Sequence, residues 1–118
     1  MTSLAPSRVL VARIAGESYA LSVRTVREVL PLPELARIPG LAAAVLGLAN
    51  VRGALVTVAD ARVLLGVSAD TPPAALVVVQ ALGRTLGLAV DEVLDLVAAG
   101  DALPVLDAEA LLRPLFPD

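Results

Sequence analysis

The chain has 118 residues, a formal net charge of −3 and 58% hydrophobic residues, with one Tyr and one Phe as its only aromatics. That is enough for one domain with an aliphatic core, burying roughly two thirds of the surface the unfolded chain exposes. There is no His and no Cys, so a Ser-His-Asp triad, a thiol nucleophile and a disulfide are excluded, and the acidic balance without a basic run argues against nucleic acid as a partner.

The elements read in order as follows. Arg8–Ile14 (RVLVARI) is β-rich and partly alternating, Gly16-Glu17 is a turn, and Tyr19–Val23 is the return strand of a first hairpin. Val23, Val26, Val29 and Leu30 recur at spacings of three and four after Ser22. This predicts one or two helical turns with Ser22 near the cap. Pro31 and Pro33 end it, and Leu32–Pro39 is a loop.

Val45–Val51 and Ala54–Ala59 are two apolar, β-rich runs hinged at Arg52-Gly53, a second hairpin. Gly53 can take positive φ freely, and on an extended strand Asn50 and Arg52 share a face. Asp60 then opens a short capped helix that Gly66 closes.

Ser68–Pro73 (SADTPP) is turn-rich and divides the chain into approximate halves, 8–67 and 74–113. Ala75–Gln80, a turn at Gly83-Arg84 and Thr85–Val90 repeat the hairpin pattern. Asp91–Val97 alternates loosely, Ala98–Ala102 is a loop, and Leu103–Leu106 is a short strand. Asp107 caps a last helix, Ala108–Leu112. The order predicts an all-β protein with short helices, built as a pair of small pseudo-duplicated barrels or a sandwich.

Candidate chemistry is thin. No P-loop or dinucleotide glycine signature occurs. Asp91, Glu92 and Asp95 are the only carboxylate cluster, with apolar Val93 between them, so a solvated edge is favoured over a metal site. Two aromatics do not build a sugar-binding cleft for paired-carboxylate hydrolysis. The longest uncharged central stretch, Ile38–Val51, is too short to span a membrane and carries Pro39 and Asn50. No signal peptide is read at the N-terminus, and a cytoplasmic location is expected. What remains is a binding module without cofactor or metal. From the residues alone, Arg52 as a plain turn residue and Glu28 as a solvated position stay an equal alternative.

Three blocks carry a resemblance. Tyr19–Val23 with Val26-Arg27-Glu28-Val29-Leu30 is the first. Val45–Gly53 running into Val56–Asp60 is the second, and Gly87–Val93 (GLAVDEV) the third. Leu106–Leu112 is a weaker fourth. Together and in this order they resemble the CheW-like domain of bacterial chemotaxis coupling proteins.

The resemblance implies two small five-stranded β-barrels on a shared core. It implies a non-catalytic adaptor joining a CheA-type histidine kinase to the cytoplasmic tips of chemoreceptors, associated with their membrane arrays, with a groove between the barrels for the receptor. It also implies partner-binding roles at Glu28, Asn50, Val51, Arg52 and Gly53. Alternatives are a coupling protein for a motility-pilus or developmental array, and a self-assembling structural domain without a receptor.

The chain departs from the family in its seven-residue Val97–Leu103 stretch, where a longer segment is usual. This predicts a truncated second barrel and self-association through the second half. Thr57 and Ala42 stand where Pro is common.

Overall fold

The computed structural model describes residues 8–40, 42–68, 70–98 and 103–116, with only the backbone path for 95–98. The strands are β1 (Arg8–Ile14), β2 (Glu17–Ser22), β3 (Val26–Pro31), β4 (Val45–Val51), β5 (Ala54–Asp60), β6 (Ala75–Ala81), β7 (Arg84–Val90), β8 (Glu92–Ala98) and β9 (Val105–Leu106). Helix α1 (Ala61–Leu65) follows β5. Helix α2 (Ala108–Leu112) follows β9 and runs into a 3₁₀ turn, Arg113–Leu115, which the sequence did not signal.

The strands form two sheets, one in the order β8-β1-β2-β9 and one in the order β3-β6-β7-β5-β4. The protein is therefore mostly β, as expected. The sheets are nested in the chain: β3 to β7 build the five-stranded sheet, and the flanking β1, β2, β8 and β9 build the other. The turn-rich Ser68–Pro73 stretch lies inside the inner segment, between β5 and β6. The short connection after β8 belongs to the outer, four-stranded sheet, and residues 99–102 of its expected loop lie outside the described residues.

The helix expected after Ser22 is instead a turn followed by β3. The Ser22 hydroxyl accepts the Arg24 N–H at 3.3 Å, and the Ser22 carbonyl accepts the Thr25 N–H at 3.1 Å. This cap-like start is not continued, because the next residues pair antiparallel with β6 from Val26↔Val79 to Pro31↔Ala75. VREVLP also alternates, and its half-buried and exposed residues follow that period of two. β-Branched Val26 and Val29 favour the extended state, and sheet pairing overrides a helical spacing only two turns long.

Two cores result. Leu10, Ala12, Ile14 and Leu21 of the outer sheet meet Val77, Val79, Leu86, Leu88 and Val90 of the inner one, sealed by Ala61, Ala108 and Leu112. On the opposite face of the inner sheet Ala49, Val51, Val56, Val58, Leu76, Val78 and Ala89 pack with Leu30, Leu32, Leu35 and Leu46. β6 and β7 are buried on both faces, which explains the unbroken run ALVVVQ. Each fully buried Leu or Val here contributes roughly 1.5–3 kcal/mol.

β7 places its larger residues toward the shared core. Gly87 lies close against the inner core, where an added Cβ would come 2.7 Å from Leu76 Cδ1. Gly47, at φ 152°, has the Ala36 carbonyl oxygen 2.5 Å from where its Cβ would be. Ala36 bridges to Leu48 there through reciprocal 2.8 Å backbone bonds, beside a register shift in β4.

Both short helices form as their caps predict. Asp60 Oδ1 accepts the Arg62 N–H at 2.9 Å, and Gly66 at φ 73° closes α1. Asp107 Oδ1 accepts the N–H groups of Glu109 and Ala110. The Arg62 guanidinium folds back on the buried Asp60 carboxylate at 3.1 Å and donates to the Thr71 carbonyl. It thereby ties α1 to the crossover that leads into β6.

Candidate functional site

Three two-residue hairpin turns share one geometry. Ala15-Gly16, Arg52-Gly53 and Leu82-Gly83 all have positive φ at both positions (53° and 84°, 52° and 85°, 57° and 71°). This is the pattern of a type I′ turn, whose twist matches the flanking strands. The first and third turns start one residue earlier than the glycine-led reading, because a non-glycine residue takes the first left-handed position, while the second falls at Arg52-Gly53 as expected.

Arg52 is therefore a turn residue and not a strand residue. Asn50 and Arg52 do not share a strand face as the extended reading predicts, since the chain reverses at Arg52. The link between them runs through the turn: Asn50 Oδ1 accepts the Gly53 N–H at 2.9 Å. A Cβ on Gly53 would meet nothing within 4 Å, so the constraint there is conformational and not spatial.

From this tip Arg52 reaches back to β3. Its Nε donates to Glu28 Oε1 at 3.1 Å and Oε2 at 3.3 Å, and its Nη2 donates to Oε2 at 3.2 Å. β3 and β4 are the two edges of the five-stranded sheet, so this ion pair joins opposite edges and the sheet must curl for it to form. Glu28 comes within reach because β3 is a strand; its side chain is 27% exposed and that of Arg52 81%. Glu28 raises the Arg52 pKa, first by accepting its hydrogen bonds and then by its charge. An exposed, solvent-screened pair of this kind adds little to folding. Its effect is to fix a planar cation in place, with Nη1 making no hydrogen bond among the described residues.

The five residues expected at the site divide by burial. Glu28 and Arg52 are joined, and Asn50 and Gly53 shape the turn. The Val51 side chain is buried in the inner core, so it supports the tip from within. Leu55, which the sequence reading does not single out, is 70% exposed beside them. It pairs with Asn50 across the hairpin, and that pairing is the available signal: a residue opposite a polar, outward position faces outward too.

A second feature lies where the two sheets meet. A mainly apolar groove of about 350 Å³ runs between Val29, Leu30, Pro31 and Ala75 of the inner sheet and Glu92 and Val93 of the outer one. Glu92 is held by Arg13 at 2.6 Å. Asp91, at the junction, accepts the Gly16 N–H through Oδ2 at 3.3 Å. Among the described residues no group of three His, Cys, Asp or Glu side chains could hold a metal ion, and the Asp95 carboxylate lies outside the described side chains. Among the described residues no helix is long and apolar enough to cross a membrane.

The CheW-like domain family model matches residues 8–102. The chain belongs to the CheW-like family. The chemotaxis protein CheW of Rhizobium meliloti is 32% identical over 97 residues, an alignment covering 80% of this chain and 63% of that protein. The scaffolding protein TtCheW from Thermoanaerobacter tengcongensis superposes with a TM-score of 0.74 at 27% identity, covering 79% of this chain and 65% of that one. This CheW-like chain thus spans somewhat under two thirds of the length of the relatives it matches, and its C-terminal helix α2 lies beyond the family match.

Proposed function

We propose that this CheW-like chain is a non-catalytic scaffold of chemotaxis-type signalling that couples a CheA-type histidine kinase to the cytoplasmic tips of chemoreceptors. The observation that carries the reading is the exposed Arg52 guanidinium, aimed by Glu28 at the tip of a hairpin beside an exposed Leu55. A fork of fixed donors next to an apolar side chain suits recognition of a carboxylate or of backbone carbonyls. The groove between the sheets supplies a second, apolar surface for a receptor helix. The named functions of the relatives support the same reading.

Binding of the full chain to a kinase regulatory domain and to a receptor cytoplasmic fragment encoded in the same genome tests it. Arg52→Ala and Glu28→Ala should each weaken at least one of the two complexes about tenfold, with circular dichroism unchanged. Unchanged affinity for both partners would show that the site is wrongly assigned.

Self-association is part of the proposal. β8 is an edge strand of the outer sheet, and such edges pair readily with another chain. Light scattering across a dilution series should show mass rising with concentration; a strict monomer throughout would remove this part.

A further inference from the structure

Asn50 occupies a polar, exposed position beside Arg52, and two roles are open to such a residue. It can touch a partner directly, or it can hold another residue that does. The hydrogen bonds of the three hairpin turns separate these roles. The first turn is locked by Asp91, which takes the Gly16 N–H from outside the hairpin. The third is locked by Glu109 of α2, whose Oε2 takes the Leu82 N–H at 3.3 Å. The second turn has no such outside lock among the described residues. Its one side-chain lock comes from its own strand, Asn50 Oδ1 to the Gly53 N–H at 2.9 Å.

The lock has a specific task here. Arg52 stands at φ 52°, a left-handed conformation that favours Asn, Asp or Gly over a long side chain. Such a position persists only where the surroundings hold it. The direction of the Arg52 side chain, and with it the three contacts to Glu28, follows from that backbone conformation. Asn50 engages its acceptor oxygen inside the turn, and keeps a second lone pair and its amide N–H donors, so the measurements below have to separate holding the turn from touching a partner.

We infer that Asn50 is a positioning residue: by holding the Arg52-Gly53 turn it aims the Arg52 guanidinium at Glu28 and presents the remaining donors to the docking partner. This rests on the scaffold reading above only for the identity of the partner; the coupling from Asn50 to Arg52 is internal to the chain.

The test uses the full chain labelled with ¹⁵N, with the Arg52 Nε–H signal assigned by its loss in Arg52→Ala. In the wild type that proton is expected to exchange slowly, being bonded to Glu28. Asn50→Ala should speed its exchange and shift the Gly53 amide, whereas Asn50→Asp, which keeps the acceptor, should preserve both. Affinity for the kinase regulatory domain or receptor fragment should fall about three- to tenfold in Asn50→Ala, the size of one lost hydrogen bond. It should fall no further when the same change is made in Arg52→Ala. An Arg52 Nε–H unaltered by Asn50→Ala would overturn the inference. So would an equal loss of binding in the Arg52→Ala background, which would make Asn50 an independent contact. Should Arg52→Ala itself leave binding intact, the scaffold site falls, while the exchange measurement still decides the role of Asn50.

Discussion

The second and third hairpins have the same turn and opposite surroundings. At the third tip, Leu82 packs against the shared core, its N–H is taken by Glu109, and Arg84 lies 4.2 Å above the Phe116 ring. At the second tip, Arg52 and Leu55 face outward, and the turn is held by its own strand and by one exposed ion pair. A type I′ turn is thus indifferent to burial; its neighbours decide whether it closes a core or presents a side chain. The third tip spends its polar contacts on folding, and the second keeps them where a partner can reach.

The contrast can be broken from the buried side first. Leu112 in α2 is 1% exposed and covers the shared core. Leu112→Ala should cost about 3 kcal/mol in denaturant unfolding, and it should loosen the third tip, read as faster exchange of the Leu82 amide, while the Gly53 amide keeps its local rate. A smaller effect is expected at the first tip. Asp91→Ala removes the acceptor of the Gly16 N–H and should cost about 1 kcal/mol, the loss being moderated because Asp91 Oδ1 is buried without a partner among the described residues. The smallest effect on folding belongs to Arg52→Ala, because its ion pair is exposed and screened by solvent, although it carries the largest expected loss of binding. A stability loss for Arg52→Ala as large as that for Leu112→Ala would erase the distinction between the two tips.

What could be read from the residues follows the range of the interactions. The three hairpins and both caps were legible because each is fixed within a few residues: an X-Gly pair between apolar runs, or an Asp before a short apolar stretch. β3 was not, because Val23, Val26, Val29 and Leu30 satisfy a helical spacing while VREVLP also alternates, and the partner that decides between them, β6, lies about fifty residues away. The nesting of the sheets was hidden for the same reason, since β1 pairs with β8 across some eighty residues. Glu28 and Arg52 entered as a pair through family resemblance; their spacing of 24 residues carries no local signal. Leu55 escaped because an exposed leucine at the start of an apolar strand is indistinguishable, by composition, from a core residue.

The nested order of the sheets also governs the sequence in which the molecule can be completed during synthesis. Made before the inner sheet, the β1–β2 hairpin lacks its neighbour β8 until the chain has been made past residue 98, whereas β3 to β7 are all present by residue 90. Val9, Leu10, Val11 and Ala12, buried in the finished protein, must wait through that interval without their final cover. The outer sheet is started first and finished last, and the inner sheet, which carries the Arg52-Gly53 hairpin, is the surface on which it closes.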